Sequence, residues 1–413
     1  MSRAAASDAR SANLAPMAGQ SAQDPRIGVI MLVADRWRGI WMPRHQVSYR
    51  LADHFDVVWV EAARPWREYF GPGRRKEEVI QDVAVDSRRY TVFDPGWRLP
   101  EVYKPRWLRD AIRKARVRAA ERILRGKGCT KIILYLWRPE FAWALDAVRA
   151  DVTCYHIDDE YTFTPTEQPN DPQEVALIRR VNHVFIHSPR LLQKKGGINV
   201  NTTCAPNGVD YSEYSTVKAE PADLAGIPHP RVGYVGVVKA QLDLDLLLTL
   251  AERHPEWQFV IVGPRGFLDT KASVLDKMGA LPNVHLLGNR PVPELPAYVQ
   301  HLDVCTMPYE ITDYTNFIYP LKLHEYLATG RPTIAKPIAS LVSFGDVVWL
   351  ATSVSEWESA LQAALRPEAS SPAAVAARQS RAAEHDWNLI VSQIAGQLRA
   401  RMADALSHNA SRS

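Results

Sequence analysis

From Arg26 onward the chain alternates short apolar runs with stretches in which apolar positions recur every three or four residues. The runs IGVIMLVA (27–34), VVWVEA (57–62), KIILYLW (131–137), VTCYHID (152–158) and HVFIHS (183–188) are almost continuously apolar, as expected of strands covered on both faces of a parallel sheet. Helical spacing lies between them, over RHQVSYRLADHF (44–55), Phe141 to Arg149 and Pro172 to Arg180. CAPNGVDYSEY (204–214) interrupts the series, and Asn207-Gly208 in it is a strong turn signal. A second series follows: RVGYVGVV (231–238), a helix across Asp245 to Arg253, QFVIVG (258–263), NVHLLG (283–288), a helix from Glu294 to Gln300, DVCTMPY (303–309), and a helix leading into Pro332 to Ala335. The pattern predicts an α/β chain of two doubly wound parallel-sheet domains, 26–205 and 206–385. An amphipathic helix over 386–406 should pack back across them, and the final SHNASRS should fray.

Length agrees with two domains, since 413 residues exceed what one core usually organises. Residues 1–25 are rich in Ala and Ser, lack the apolar centre of a secretory signal and read as a disordered tail. No run of about 18 apolar residues is present to span a membrane. Cys129, Cys154, Cys204 and Cys305 have neither CxxC spacing nor a histidine pair, which argues against a zinc site or a disulfide framework and for a cytoplasmic location. A net charge of +4 is too small to predict nucleic-acid binding, but the charge is uneven. The stretch 104–127 holds ten Lys/Arg against Asp110 and Glu121, with apolar residues at near-helical intervals. It predicts a basic amphipathic helix able to rest on an anionic membrane surface.

Neither GxGxxG after a strand nor GxxxxGK[ST] occurs, which removes the simplest dinucleotide and P-loop readings. Candidate chemistry lies elsewhere. In YPLKLHEYLATGRP (319–332) proline opens a short helix and Gly330 closes it, so Lys322, Glu325 and Thr329 place a cation, a carboxylate and a hydroxyl along one side. Asp158, Asp159 and Glu160 follow an apolar run directly, at the carboxyl end of a predicted parallel strand where clefts of open sheets form.

The succession PNGVD, RVGYVG, FVIVGP, NVHLLG and PYEITDYTNFIYPLKLHEYLATGRP resembles the nucleotide-binding half of glycosyltransferases with the two-domain, Rossmann-like GT-B architecture. WMPRHQVSYRLADHFDVVWVE and YHIDDEYTF extend the likeness toward bacterial cell-surface polysaccharide transferases, and the PLKLxEY variant is similar to the xanthan glucuronosyltransferase. The resemblance implies two domains facing a cleft. It gives Glu325 the ribose hydroxyls of a UDP- or GDP-sugar and Lys322 its diphosphate. Gly236, Lys239, Gly263, Pro264, Arg290 and Thr329 would join the donor site. Asp158 and Asp159 would supply the base of an inverting transfer, and Trp37, Arg44, His45 and His156 would touch the acceptor. Retaining members usually have a glutamate eight residues before the ribose-binding one, where this chain has Phe317, and Val237 and Leu242 replace the usual first-strand Arg and Lys.

The implied activity is transfer of a sugar to a glycan or lipid-linked acceptor for cell-surface polysaccharide, at the cytoplasmic face of the inner membrane, with the nucleotide-sugar as co-substrate and neither cofactor nor metal. The same architecture also suits a sugar-nucleotide epimerase or a non-catalytic sugar-nucleotide-binding protein.

Overall fold

The computed structural model describes residues 25–70, 89–161 and 170–410. The tail expected over 1–25 falls, but for Pro25, outside the described residues.

The first sheet consists of β1 (Ile27–Leu32), β2 (Asp56–Val60), β3 (Tyr90–Phe93), β4 (Lys131–Leu136), β5 (Val152–Ile157), β6 (His183–Ile186) and β7 (Thr202–Cys204). Its order is β3-β2-β1-β4-β5-β6-β7, and every pairing is parallel. The second sheet consists of β8 (Arg231–Val235), β9 (Gln258–Val262), β10 (Val284–Gly288), β11 (Val304–Met307), β12 (Thr333–Ala335) and β13 (Trp349–Leu350), in the order β10-β9-β8-β11-β12-β13 and again parallel throughout. The strands with continuous apolar runs are the central ones, buried along nearly their whole length. The sequence pattern missed β3, β7 and β13, which are short and partly uncovered and so carry no long apolar run.

In each sheet the strand order reverses beside the first strand, between β1 and β4 and between β8 and β11. A crevice opens at the carboxyl ends of strands at such a reversal. The segments that follow β1 and β5 in the first domain, and β8, β9 and β11 in the second, carry most of the residues singled out from sequence.

One apolar cluster fills the second domain, and two cover the faces of the first sheet. The helix Trp387–Ala410 completes the first domain, contributing Trp387, Ile390, Val391, Ile394, Leu398 and Met402 to one of those faces. The chain therefore crosses between domains twice, and the crossings lie side by side. Val209 N–H donates to His385 O at 3.0 Å and Trp387 N–H donates to Val209 O at 3.0 Å. The basic stretch forms the helix Arg106–Gly126, but Arg116 is not on its solvent face: it is buried, donating to Glu101 at 2.7 Å and to Leu99 O at 2.8 Å. Residues 139–146 wind as a 3₁₀-helix where an α-helix over 141–149 was expected.

Candidate active site

On the second domain two glycines shape the floor. Gly236, after β8, has φ +147° and a Cβ there would lie 2.0 Å from Lys322 Cε. Gly263, after β9, has φ +144° and a Cβ there would lie 2.1 Å from Gly236 O. The two turns thus touch backbone to backbone, with Lys322 laid directly over Gly236. Only glycine permits both the conformation and the approach.

Lys322 and Glu325 stand on the helix Leu321–Ala328, whose apolar side, Leu323, Tyr326 and Leu327, is fully buried. Tyr326 fastens the helix to the sheet by accepting Val235 N–H at 2.9 Å. Lys322 Nζ lies 5.4 Å from the centre of the Tyr234 ring. Burial opposes its charge, but Tyr234, Tyr309 and Glu325 outweigh burial and raise its pKa, so it is a firmly held cation. Burial dominates at Glu325 and raises its carboxyl above 4.5, against the pull of Lys322 and of a hydrogen bond with Tyr214. Tyr214 lies on the helix Tyr211–Ser215, just past the crossing from the first domain.

On the first domain the acidic run after β5 divides into separate parts. Asp158 is locked: Arg44 Nη1 donates to one oxygen at 2.5 Å and Tyr161 donates to the other. Arg44 is itself held by Asp35, through Nε and, at 3.1 Å, Nη2. Its charge is fixed: burial opposes it, but Asp158 and Asp35 prevail and raise its pKa. Glu160 is structural, buried with Lys195 at 3.0 Å and Lys194 at 3.1 Å, and Lys195 also bonds Glu174 at 2.8 Å. Asp159 lies between them. Its Oδ1 accepts Glu160 N–H at 2.8 Å, and burial raises its carboxyl above 3.8, with Asp158 adding to the rise while Lys239 and Arg138 oppose it.

The two halves meet here. Lys239, from the loop after β8, feels Lys322 of its own domain and Asp159 of the other; burial first, then Lys322, lowers its pKa, and Asp159 opposes them. Tyr314, from the loop after β11, reaches across to hydrogen-bond Asp159, and burial together with that carboxylate pushes its hydroxyl up to about 12. Lys239 is therefore within electrostatic reach of Lys322 on its own domain and of Asp159 on the other, and Lys322 in turn of Glu325.

Other expected residues lie apart from it. Trp37 and His45 are buried in an aromatic cluster with Trp41, Tyr49, Trp59 and Tyr90. His45 Nδ1 accepts Met42 N–H at 3.1 Å, which leaves Nε2–H to donate to Arg36 O at 3.0 Å, and burial lowers its pKa. His156 stacks on Trp137 at 4.0 Å and bonds Tyr135 Oη at 2.8 Å; burial drives its pKa well below 6.5, so it is a neutral packing group. None of these three offers surface to an acceptor in this structure. The Thr329 hydroxyl donates to Tyr326 O at 2.7 Å at the far end of its helix, about one turn past Glu325 and two past Lys322. Arg290 pairs with Asp223 at 2.5 Å and bonds Tyr298 at 2.8 Å rather than turning inward. Pro264 O accepts Val238 N–H at 3.0 Å and so braces the loop that carries Lys239. Sequence reasoning missed Tyr214 and Tyr314, whose roles depend on partners far along the chain; the raised density of tyrosines around 309–326 hinted at Tyr314 alone.

Residues 229–366 match the family of glycosyl transferases group 1. The Bacillus subtilis (strain 168) protein described as teichuronic acid biosynthesis glycosyltransferase TuaH is 32% identical over 176 residues, 40% of this chain and 43% of its own length. The chain thus matches less than half of that relative. Among solved structures, WaaG, a glycosyltransferase involved in lipopolysaccharide biosynthesis, superimposes with a TM-score of 0.56 at 11% identity, over 89% of this chain and 98% of WaaG. HepE of Anabaena, solved in complex with UDP-glucose, superimposes with a TM-score of 0.62 at 15% identity, over 91% of this chain and 100% of HepE. At such identities the likeness establishes the architecture. The chain has the GT-B fold, and its residues 229–366 are similar to the glycosyl transferases group 1 family.

Proposed function

We propose that the protein is a glycosyltransferase that moves a sugar from a UDP- or GDP-sugar to a glycan or lipid-linked acceptor in cell-surface polysaccharide synthesis. The observation that carries this reading is the approach of Lys239 and Tyr314, on the domain of Glu325 and Lys322, to Asp159 on the other domain. Glu325 accepts hydrogen bonds from the ribose hydroxyls, and Lys322 and Lys239 face the diphosphate as point charges. Asp159 is the base, since both oxygens of Asp158 are committed to Arg44 and Tyr161. A carboxyl raised by burial is suited to accept a proton near neutrality. The transfer is then one displacement. The acceptor hydroxyl gives its proton to Asp159 as its oxygen bonds the anomeric carbon, and the nucleoside diphosphate leaves with the bonding electron pair toward the lysines. This route inverts the anomeric configuration.

The first experiment measures binding of UDP- and GDP-sugars by calorimetry, then turnover of the best donor with lipid-linked and soluble glycans. Asp159→Asn should lower turnover by about 10²- to 10⁴-fold while donor affinity changes little. Undiminished turnover in Asp159→Asn, or epimer formation without acceptor, would overturn the reading.

The same reading places the enzyme at an anionic membrane. Trp66, Phe70, Trp97, Tyr103 and Trp107 are all more than half exposed. The first three form one group, with Trp66 Nε1–H donating to Trp97 O at 2.8 Å and the Phe70 and Trp97 rings 6.2 Å apart. Lys104, Arg106 and Arg109 line a hollow with Tyr103 at the start of the basic helix, and the pairing of Pro65 with Glu101 ties the two regions together. Exposed aromatic rings beside cations suit a lipid headgroup layer. Flotation should show binding to vesicles containing phosphatidylglycerol that weakens with salt and drops in Trp97→Ala/Trp107→Ala; equal binding to neutral vesicles would contradict it.

A further inference from the structure

We propose that Phe317 is the inter-domain anchor of this site: a side chain of the second domain, seated in the first domain's core, that fixes Tyr314 against Asp159. The significance given to Asp159 rests on its role as the base, proposed above.

The segment from Glu310 to Tyr319 belongs to the second domain by connectivity and by hydrogen bonding. The Thr315 hydroxyl donates to Glu310 O at 2.5 Å, Asn316 Oδ1 accepts Ala339 N–H at 3.0 Å, and Ile318 O accepts the Ser340 hydroxyl at 2.8 Å. Thr315–Phe317 wind as one turn of 3₁₀-helix, so the side chains at 314 and 317 point along the same edge. Phe317 nevertheless leaves its own domain. It is 2% exposed, in the apolar cluster built from Ile30, Ile157, Ile186, Leu191 and other residues of the first sheet and its helices. All other buried members of that cluster lie between Ile30 and Leu191.

The seat is joined to the acidic run. Lys194 Nζ lies 5.2 Å from the centre of the Phe317 ring and 3.1 Å from Glu160, the residue after Asp159. Glu160 is held in turn by buried Lys195. The ring is therefore gripped by the same ion group that fixes the position of the Asp159 backbone, and one turn back along the segment Tyr314 reaches the Asp159 side chain. A rigid turn with both of its ends on one partner determines where the tyrosine hydroxyl sits. The position is also the one at which the resemblance leads one to expect a glutamate facing the donor; here it faces the other domain and carries a ring.

The test places spin labels at Arg122→Cys and Glu252→Cys, one exposed position in each domain, in a Cys204→Ser chain. Pulsed-EPR distances should be narrowly distributed in the parent, broader and longer by several ångströms in Phe317→Ala, and restored in Phe317→Leu. UDP affinity of Phe317→Ala should stay within about threefold of the parent, because the groups proposed to hold UDP lie in the second domain. A double-mutant cycle in urea then isolates the link. Tyr314→Phe should lower the unfolding midpoint in the parent and leave it unchanged in Phe317→Ala; an equal effect in both, or an unaltered distance distribution in Phe317→Ala, overturns the proposal. If Phe317→Ala does not fold, as judged by circular dichroism, Phe317→Val, which removes the ring but keeps a β-branched side chain, replaces it in both measurements and is read against the same criteria. A parent chain that binds neither UDP nor GDP would instead remove the functional reading, leaving the anchor to stand on the distances.

Discussion

Asp158 and Asp159 are neighbours in the chain and opposites in circumstance. Asp158 has both oxygens engaged and sits at the end of an Asp35–Arg44–Asp158 ladder, whereas Asp159 is reached from the other domain by Tyr314 and Lys239. Residue type alone would not tell them apart. Glu325 shows the same dependence on surroundings, since burial raises its pKa while Lys322 and Tyr214 pull it down. A carboxyl in that state should hold ribose hydroxyls well when ionised and poorly when protonated. UDP affinity measured by calorimetry should therefore fall as pH is lowered through the raised Glu325 pKa. Glu325→Gln should lose about 1.5–3 kcal/mol of affinity near neutral pH and show a flatter pH dependence. An unchanged profile in Glu325→Gln would separate this side chain from the ribose.

At the scale of elements, the surroundings of Lys322 are assembled from strand ends whose turns are braced against each other. Gly263 carries the carbonyl of Gly236 where a Cβ would be, and Gly236 carries Lys322 in the same sense. Gly263→Ala should therefore displace both the 236 turn and the lysine above it. The expected result is a loss of more than about 1 kcal/mol of stability in urea, with weaker UDP binding than in the parent. Gly288, also at positive φ but with no atom within 4 Å of where a Cβ would stand, is the control: Gly288→Asn should affect stability less and leave UDP binding intact.

Across the whole molecule, the C-terminal helix makes the first domain depend on the end of the chain, and the crossings at Val209 and Trp387 are tied to each other by backbone hydrogen bonds. Burial also leaves a pH signature. His156, His187 and His324 are each held below 6.5 by desolvation, so the folded chain keeps them neutral while the unfolded chain protonates them. Their contribution is present above the unfolded value and is lost as pH falls below it, by up to about 1.4 kcal/mol per pH unit for each group. Asp159 and Glu325 act in the opposite sense, since their raised pKa values favour the protonated fold, but two such groups stand against the three histidines. Thermal unfolding should move to lower temperature between about pH 7 and about pH 5.5. A flat profile would mean that these histidines are not neutral in the fold.

The alternation of apolar runs and helical periods determined the two parallel sheets, because a strand covered on both faces must be apolar along its length, and β1, β4, β5, β8 and β9 all lie within such runs. Glycine and proline marked the short helix of Lys322 and Glu325, since backbone conformation is written locally. What the sequence could not determine was which polar residues face the cleft. Trp37, His45 and His156 look like ligand contacts in a string of letters and are packed in the interior, while Tyr314 and Phe317 look like filler and span two domains. A side chain's partner across a cleft is set by how two sheets are brought together, and that is a property of the packed molecule, carried by contacts between residues more than a hundred positions apart.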